Sequence, residues 1–175
     1  MRDATAARHA ILDSSLDIGG PHATLADYRQ HLCLLRAWLG PLESWLAKFD
    51  DGPQGAAAPA PLLRTLVIDA DLAHMPGVCG PVDARPWPAD ASAAYRWGVC
   101  YVVEGSQLGG AVLYQRLAPL LDHPLHYLRG QEQGPGPRWR AFLLALKAAV
   151  NTPEEIAHAC AGACDAFDRI LSLRP

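Results

Sequence analysis

A chain of 175 residues, half of them hydrophobic and 19% charged, is long enough to bury a core without a disulfide or structural metal, and one domain over 1–175 is expected. The net charge of −3 is spread without long like-charge runs, which argues against a nucleic-acid partner, and no run approaches 18 uninterrupted apolar residues, which argues against a membrane partner. Met1-Arg2-Asp3-Ala4 opens no signal-peptide core, and the five cysteines (Cys33, Cys79, Cys100, Cys160, Cys164) are odd in number and mostly set in apolar helical stretches, so a reduced, cytoplasmic protein with buried thiols is expected.

Residues 2 to about 17 predict a helix with a broad apolar face from Ala4 to Leu16, stopped by Gly19-Gly20-Pro21. Thr24 with Asp27 three positions on predicts an N-cap for a long amphipathic helix to about Lys48, with a bend or break at Gly40-Pro41. A loop follows over 50–61, then a third helix over 62–74 and a proline-rich loop over 76–88. Asp90 is expected to cap a helix running from Ala91 to about Ala118, and residues 122–137 read as loop. A short helix is expected over 138–150, and Thr152-Pro153-Glu154-Glu155 predicts a capping box for the last helix, ending near Leu173. No segment shows convincing period-two alternation, so the fold class is all-α, a bundle of about six or seven helices.

The helix expected over 91–118 contains Tyr101-Val102-Val103-Glu104-Gly105-Ser106-Gln107-Leu108-Gly109-Gly110, with three glycines where a helix tolerates them least. Each costs roughly 1 kcal/mol relative to alanine, about 3 kcal/mol together against a total stability of 5–15. Gly105 and Gly109 are one turn apart, so they expose a smooth strip of backbone that suits either a close helix crossing or a flat ligand. Gly110, a second consecutive glycine, predicts a kink dividing the helix into two arms.

Of seven histidines, His22, His74, His123 and His126 fall in or beside loops, and His31 and His158 on the polar side of amphipathic helices. His9 departs from an otherwise apolar face, with Ala6 and Leu12 at i−3 and i+3. Asp13 at i+4 can accept from one ring nitrogen and leave the other free for a metal, and Arg2 lies two turns earlier toward an anionic edge of the same ligand. A core histidine paired with Asp13 is the competing reading.

Three motifs, Arg2-x-Ala4-Thr5-x-x-x-His9-x-x-x-Asp13, Tyr101-Val102-Val103-Glu104-Gly105-Ser106-x-Leu108-Gly109-Gly110 and Trp139-Arg140-x-Phe142, resemble the haem oxygenases in order and spacing over nearly the whole chain, most closely the bacterial, phytochrome-associated ones. The resemblance implies haem, both substrate and cofactor, between a proximal helix bearing the iron ligand His9 and a kinked distal helix at Gly105, Ser106, Gly109 and Gly110. Asp13 would orient His9 and Arg2 would meet a propionate, with Tyr101, Arg138 and Arg140 as further candidates on that side. The implied reaction is oxidative cleavage of haem to biliverdin, CO and ferrous iron with O2 and electrons from a ferredoxin or reductase. A photoreceptor is a possible acceptor of the biliverdin. Many family members carry an aspartate where this chain has Ser106, which leaves open a haem-binding or haem-sensing protein without turnover. A helical interaction module, with the glycines as packing devices, is the remaining alternative.

Overall fold

The computed structural model describes residues 1–81 and 85–173. Among these are seven helices and no strand: α1 (Arg2–Ser14), α2 (Leu25–Leu46), α3 (Arg64–Leu72), α4 (Ala93–Leu117), the single turn α5 (His126–Arg129), α6 (Gly136–Ala149) and α7 (Pro153–Ser172), with 3-10 turns at Asp17–Gly19 and Gly52–Gln54. Both expected capping boxes form. The Thr24 hydroxyl accepts from the Asp27 amide while the Asp27 carboxylate takes the Thr24 amide, and Thr152 and Glu155 repeat the exchange ahead of Pro153.

The structure differs from expectation in five places. The first helix stops at Ser14, and the 3-10 turn at 17–19 takes up the residues beyond. α2 runs unbroken through Pro41. A proline inside a helix costs about 3 kcal/mol, but Trp38, Leu39, Leu42 and Trp45 flank it and are all buried, and each contributes roughly 1.5–3 kcal/mol by leaving water. Ser92, rather than Asp90, caps α4 by accepting from the Tyr95 amide. α4 itself is one uninterrupted helix of 25 residues rather than two arms, and Gly105, Gly109 and Gly110 all keep negative φ. α5 also forms inside the segment expected to be loop.

The centre of the molecule is the crossing of α4 with α7. A Cβ built on Gly98 would collide with the backbone of Ala159 and Ala163, and one on Gly162 with the backbone of Tyr95, so two bare backbones meet here. α1 then rests on α7: Arg8 forms a bidentate ion pair with Asp168 (2.7 and 3.0 Å), the His9 ring lies 5.8 Å from that of Phe167, and the Cys164 thiol donates to the Ala4 carbonyl. α7 therefore carries α1 on one side and α4 on the other. Opposite, α2 buries Tyr28, Leu32, Leu35, Trp38, Leu39, Leu42 and Trp45, and α3 and α5 are tied to it through Asp71, fully buried, which accepts from the Tyr28 hydroxyl (2.5 Å), His126 Nδ1 (2.7 Å) and the Tyr127 amide (2.9 Å).

Two expectations about side chains are corrected. Cys33 on α2 and Cys79 in the loop after α3 form a disulfide, so these two are not reduced thiols; their 46-residue separation hid the pairing, which needs the α2–α3 packing to bring them together. His31 is not on a solvated face. Its Nδ1 is buried without a hydrogen-bond partner, and burial pushes its pKa down to about 4. No helix of the described residues is long and apolar enough to cross a membrane.

Candidate haem site

α1 presents His9 as the sequence suggests but not as a core residue. The side chain is 62% exposed, and its Nδ1 lies 2.8 Å from Asp13 Oδ2, one turn along the same helix. The carboxylate fixes Nδ1 as the protonated nitrogen and leaves the lone pair on Nε2, which has no protein partner among the described residues. Phe167 backs the ring on the α7 side and limits its rotation.

The glycines of α4 separate into two kinds. Gly98, Gly105 and Gly109 stand at i, i+7 and i+11, within about 40° of one another around the axis, so they form one stripe along the helix. α7 covers that stripe at Gly98 and does not at its other end. A Cβ on Gly105 would meet only the edge of the Trp139 ring at 3.5 Å, one on Gly110 only Leu128 at 3.8 Å, and one on Gly109 no atom within 4 Å. The helix-crossing explanation thus belongs to Gly98 and Gly162. Nothing in the protein's own packing requires glycine at 105, 109 or 110, although together they cost about 3 kcal/mol.

Ser106 lies beside this strip and donates to the Val103 carbonyl (2.8 Å), a bond one turn back along its own helix. Gln107 Nε2 lies 3.4 Å from Ser106 Oγ and 3.1 Å from the Tyr127 hydroxyl, which links the strip to α5. The Tyr127 phenol is raised above its ordinary pKa, chiefly by burial, and stays neutral. Sequence reasoning passed over both Gln107 and Tyr127: the first looks like a polar face position, and the second sits in a segment read as loop.

The candidates for an anionic edge divide. Arg2 and Arg140 are exposed and form no ion pair among the described residues. Tyr101 is half-buried against Trp139, ring centroids 5.2 Å apart. Arg138 is paired within the fold: its Nε and Nη2 are bound to both oxygens of Glu104 (2.7 and 2.8 Å) and its Nη1 to the Ala60 carbonyl. Arg64 donates to the same carboxylate at 2.8 Å. Burial raises the Glu104 pKa, but the Arg138 hydrogen bond and the Arg64 and Arg138 charges outweigh it, and the net shift is downward. An acid following the apolar run 99–103 was the signal for such a buried pair.

These residues fit an iron porphyrin in the chemistry of their donors: an imidazole whose Nδ1 is held by a carboxylate, a strip of glycines with no packing reason to be bare, and two guanidinium groups without an ion pair among the described residues. The heme oxygenase family model matches residues 1–173. A heme oxygenase of Xanthomonas campestris is 43% identical over 86 residues, 47% of this chain and 52% of that protein. The heme oxygenase PigA of Pseudomonas aeruginosa is 36% identical over 107 residues, 59% of this chain and 54% of that protein, so the chain spans about half the length of the curated relatives it matches. In fold, the chain is similar to the NO- and CO-bound heme oxygenase from Neisseria meningitidis, with a TM-score of 0.71 and 24% identity over 98% of this chain and 86% of that one. With a family match across all but the last two residues, on a fold whose glycine stripe and histidine–aspartate pair have just been described, the chain belongs to the haem oxygenase family.

Proposed function

We propose that the chain is a haem oxygenase that cleaves haem to biliverdin, CO and ferrous iron, using O2 and electrons from a separate ferredoxin or reductase. A cytoplasmic site of action and onward passage of biliverdin to a photoreceptor belong to the same reading. The observation that carries it is the strip at Gly105–Gly110: no backbone crosses these glycines, and the α5 and α6 side chains beside them leave room for a Cβ, so a flat ligand is what gives them a reason.

Haem, as substrate, supplies the iron that binds and activates O2 and the ring that is opened. The work of the chain is to place it. His9 Nε2 would hold the iron, with Asp13 keeping the proton on Nδ1, so the ligand would be a neutral imidazole rather than a strongly electron-donating thiolate. Gly105 and Gly109 would present α4 backbone to the porphyrin without a side chain in between. Arg2 and Arg140 pair with the propionates. At Ser106 the hydroxyl proton is held on the Val103 carbonyl and the oxygen faces the Gln107 amide, so the hydroxyl can pass a proton only by leaving Val103.

Hemin added to the purified chain is expected to give a Soret band that shifts and weakens in His9→Ala, and reductant with O2 is expected to replace that band with biliverdin absorption in the red. An unchanged Soret band in the variant overturns the assignment. Stable haem binding without turnover favours the second reading, a haem-binding or haem-sensing protein, which Ser106 motivates because its hydroxyl is bound to its own helix and no carboxylate stands in its place.

A further inference from the structure

On the side of α4 turned away from the glycine stripe, Cys100, Val103 and Glu104 help to wall a cavity of about 200 Å³ between α2, the 53–64 segment, α4 and α6. None of His9, Gly105, Ser106, Gly109 or Gly110 lines it, so it is a different place from the haem site. Most of the wall is apolar, with Leu42, Phe49, Ala58, Val103 and Phe142 around the ring of the cavity. One edge is polar and is formed by Arg64, Glu104 and Arg138. Leu63, 58% exposed, stands at the rim and gives the cavity a way out to solvent.

Charge, size and donors narrow what fits. The positive charges of Arg64 and Arg138 are matched by Glu104, which both of them bind, and by Glu43, which accepts from the Arg64 amide at 2.7 Å, so nothing in the wall draws an anion. Cys100, raised to about 12 mainly by burial, adds a neutral thiol. The side chain of Arg64 is 9% exposed, its Nη2 is bound to Glu104 and its Nε has no accessible surface, so the polar edge offers no free donor and the apolar wall decides what fits. A dry apolar cavity of about 150 Å³ is enough for benzene, so this one has room for a single ring with a short substituent.

We propose that this cavity is a second small-molecule site, taking a neutral one-ring compound, the ring among Phe49, Val103 and Phe142 and a short substituent turned toward the open rim at Leu63. It does not rest on the haem reading, because it lies on the other side of α4 and needs neither His9 nor the glycines.

Acetophenone titrated into the 15N-labelled full chain is the test. Saturable shifts are expected at the amides of Ala58, Cys100, Val103 and Phe142, and none over residues 4–13 of α1. Benzoate, the same size but anionic, is expected to bind at least about 10-fold more weakly, a difference of about 1.4 kcal/mol. Ala58→Phe, which fills the cavity from its loop side, is expected to abolish the shifts while hemin still gives its Soret band; Ala58→Leu serves if the larger ring unfolds the loop. Lining amides that do not move in a saturable way up to roughly 10 mM acetophenone overturn the proposal, since weaker binding falls below about 3 kcal/mol. Shifts that survive both filling variants, or that centre on α1, overturn it as well.

Discussion

Two glycines on one stripe of α4 answer to different demands, and substitution separates them. Alanine at Gly98 drives a methyl into the backbone of Ala159 and Ala163, which cannot rotate away, so Gly98→Ala is expected to destabilise by about 3 kcal/mol or more in urea unfolding. Alanine at Gly109 meets nothing, and removes up to about 1 kcal/mol of unfavourable helix propensity, so Gly109→Ala is expected to raise Tm by about 2–4 °C. The stabilised variant should nevertheless bind hemin less well or open it at a different meso carbon, and Gly109→Leu more so. If Gly109→Leu unfolds the protein instead, the strip is a packing device after all. Asp13 gives the matching test on α1: Asp13→Ala leaves His9 in place but frees its tautomer, and hemin affinity is expected to fall about 10- to 100-fold.

At the scale of elements, helices with strong local signals were legible and their joins were not. The capping boxes at Thr24 and Thr152 are written in four consecutive residues each, and Thr152→Ala should cost about 1 kcal/mol, read as a shift of the urea midpoint. Pro41 misled because a local penalty was weighed without the burial of Trp38, Leu42 and Trp45 around it, which only tertiary packing reveals. The glycine stretch misled in the same way: α4 stays unbroken because its first half is clamped to α7 at Gly98, eleven residues before Gly109. Within the site, His9 with Asp13 and the bare strip could be read from i, i+4 spacing, whereas the turning of Arg138 toward Glu104 could not, because its partner lies 34 residues away. The Cys33–Cys79 bond is the clearest case of long-range information, and it carries its own prediction. It closes a loop spanning 46 residues, so Cys33→Ser or reduction is expected to cost about 3–4 kcal/mol of stability, seen as a lower urea midpoint in the presence of dithiothreitol.

For the whole molecule, the buried titratable groups define how the fold responds to acid, in two windows. His31 is held neutral by burial, with its pKa lowered from 6.5 to about 4, so below pH 6.5 the unfolded chain takes up a proton that the folded chain refuses. Stability therefore begins to fall as pH drops below about 6.5 and continues to fall toward pH 4, where His31 protonates in the folded state too. Glu104, Asp71 and Asp165 act lower. Burial raises each, but the Arg138 and Arg64 contacts of Glu104, the Tyr28, Tyr127 and His126 hydrogen bonds of Asp71, and the Tyr95 and Arg169 bonds of Asp165 win, and all three are lowered from ordinary carboxylate values of 4.5, 3.8 and 3.8. Their contribution is complete above pH 4.5 and is lost as pH falls through the lowered values. These three carboxylates join α4 to α3 and α6, α3 to α2 and α5, and α4 to α7, so protonating them loosens α4 from α3, α6 and α7 and α3 from α2 and α5. Urea midpoints measured from pH 8 to pH 3 should show a first decline below pH 6.5 and a steeper one below 4.5. His31→Gln is expected to flatten the first decline and leave the second. A first decline unchanged in that variant would assign it to another group.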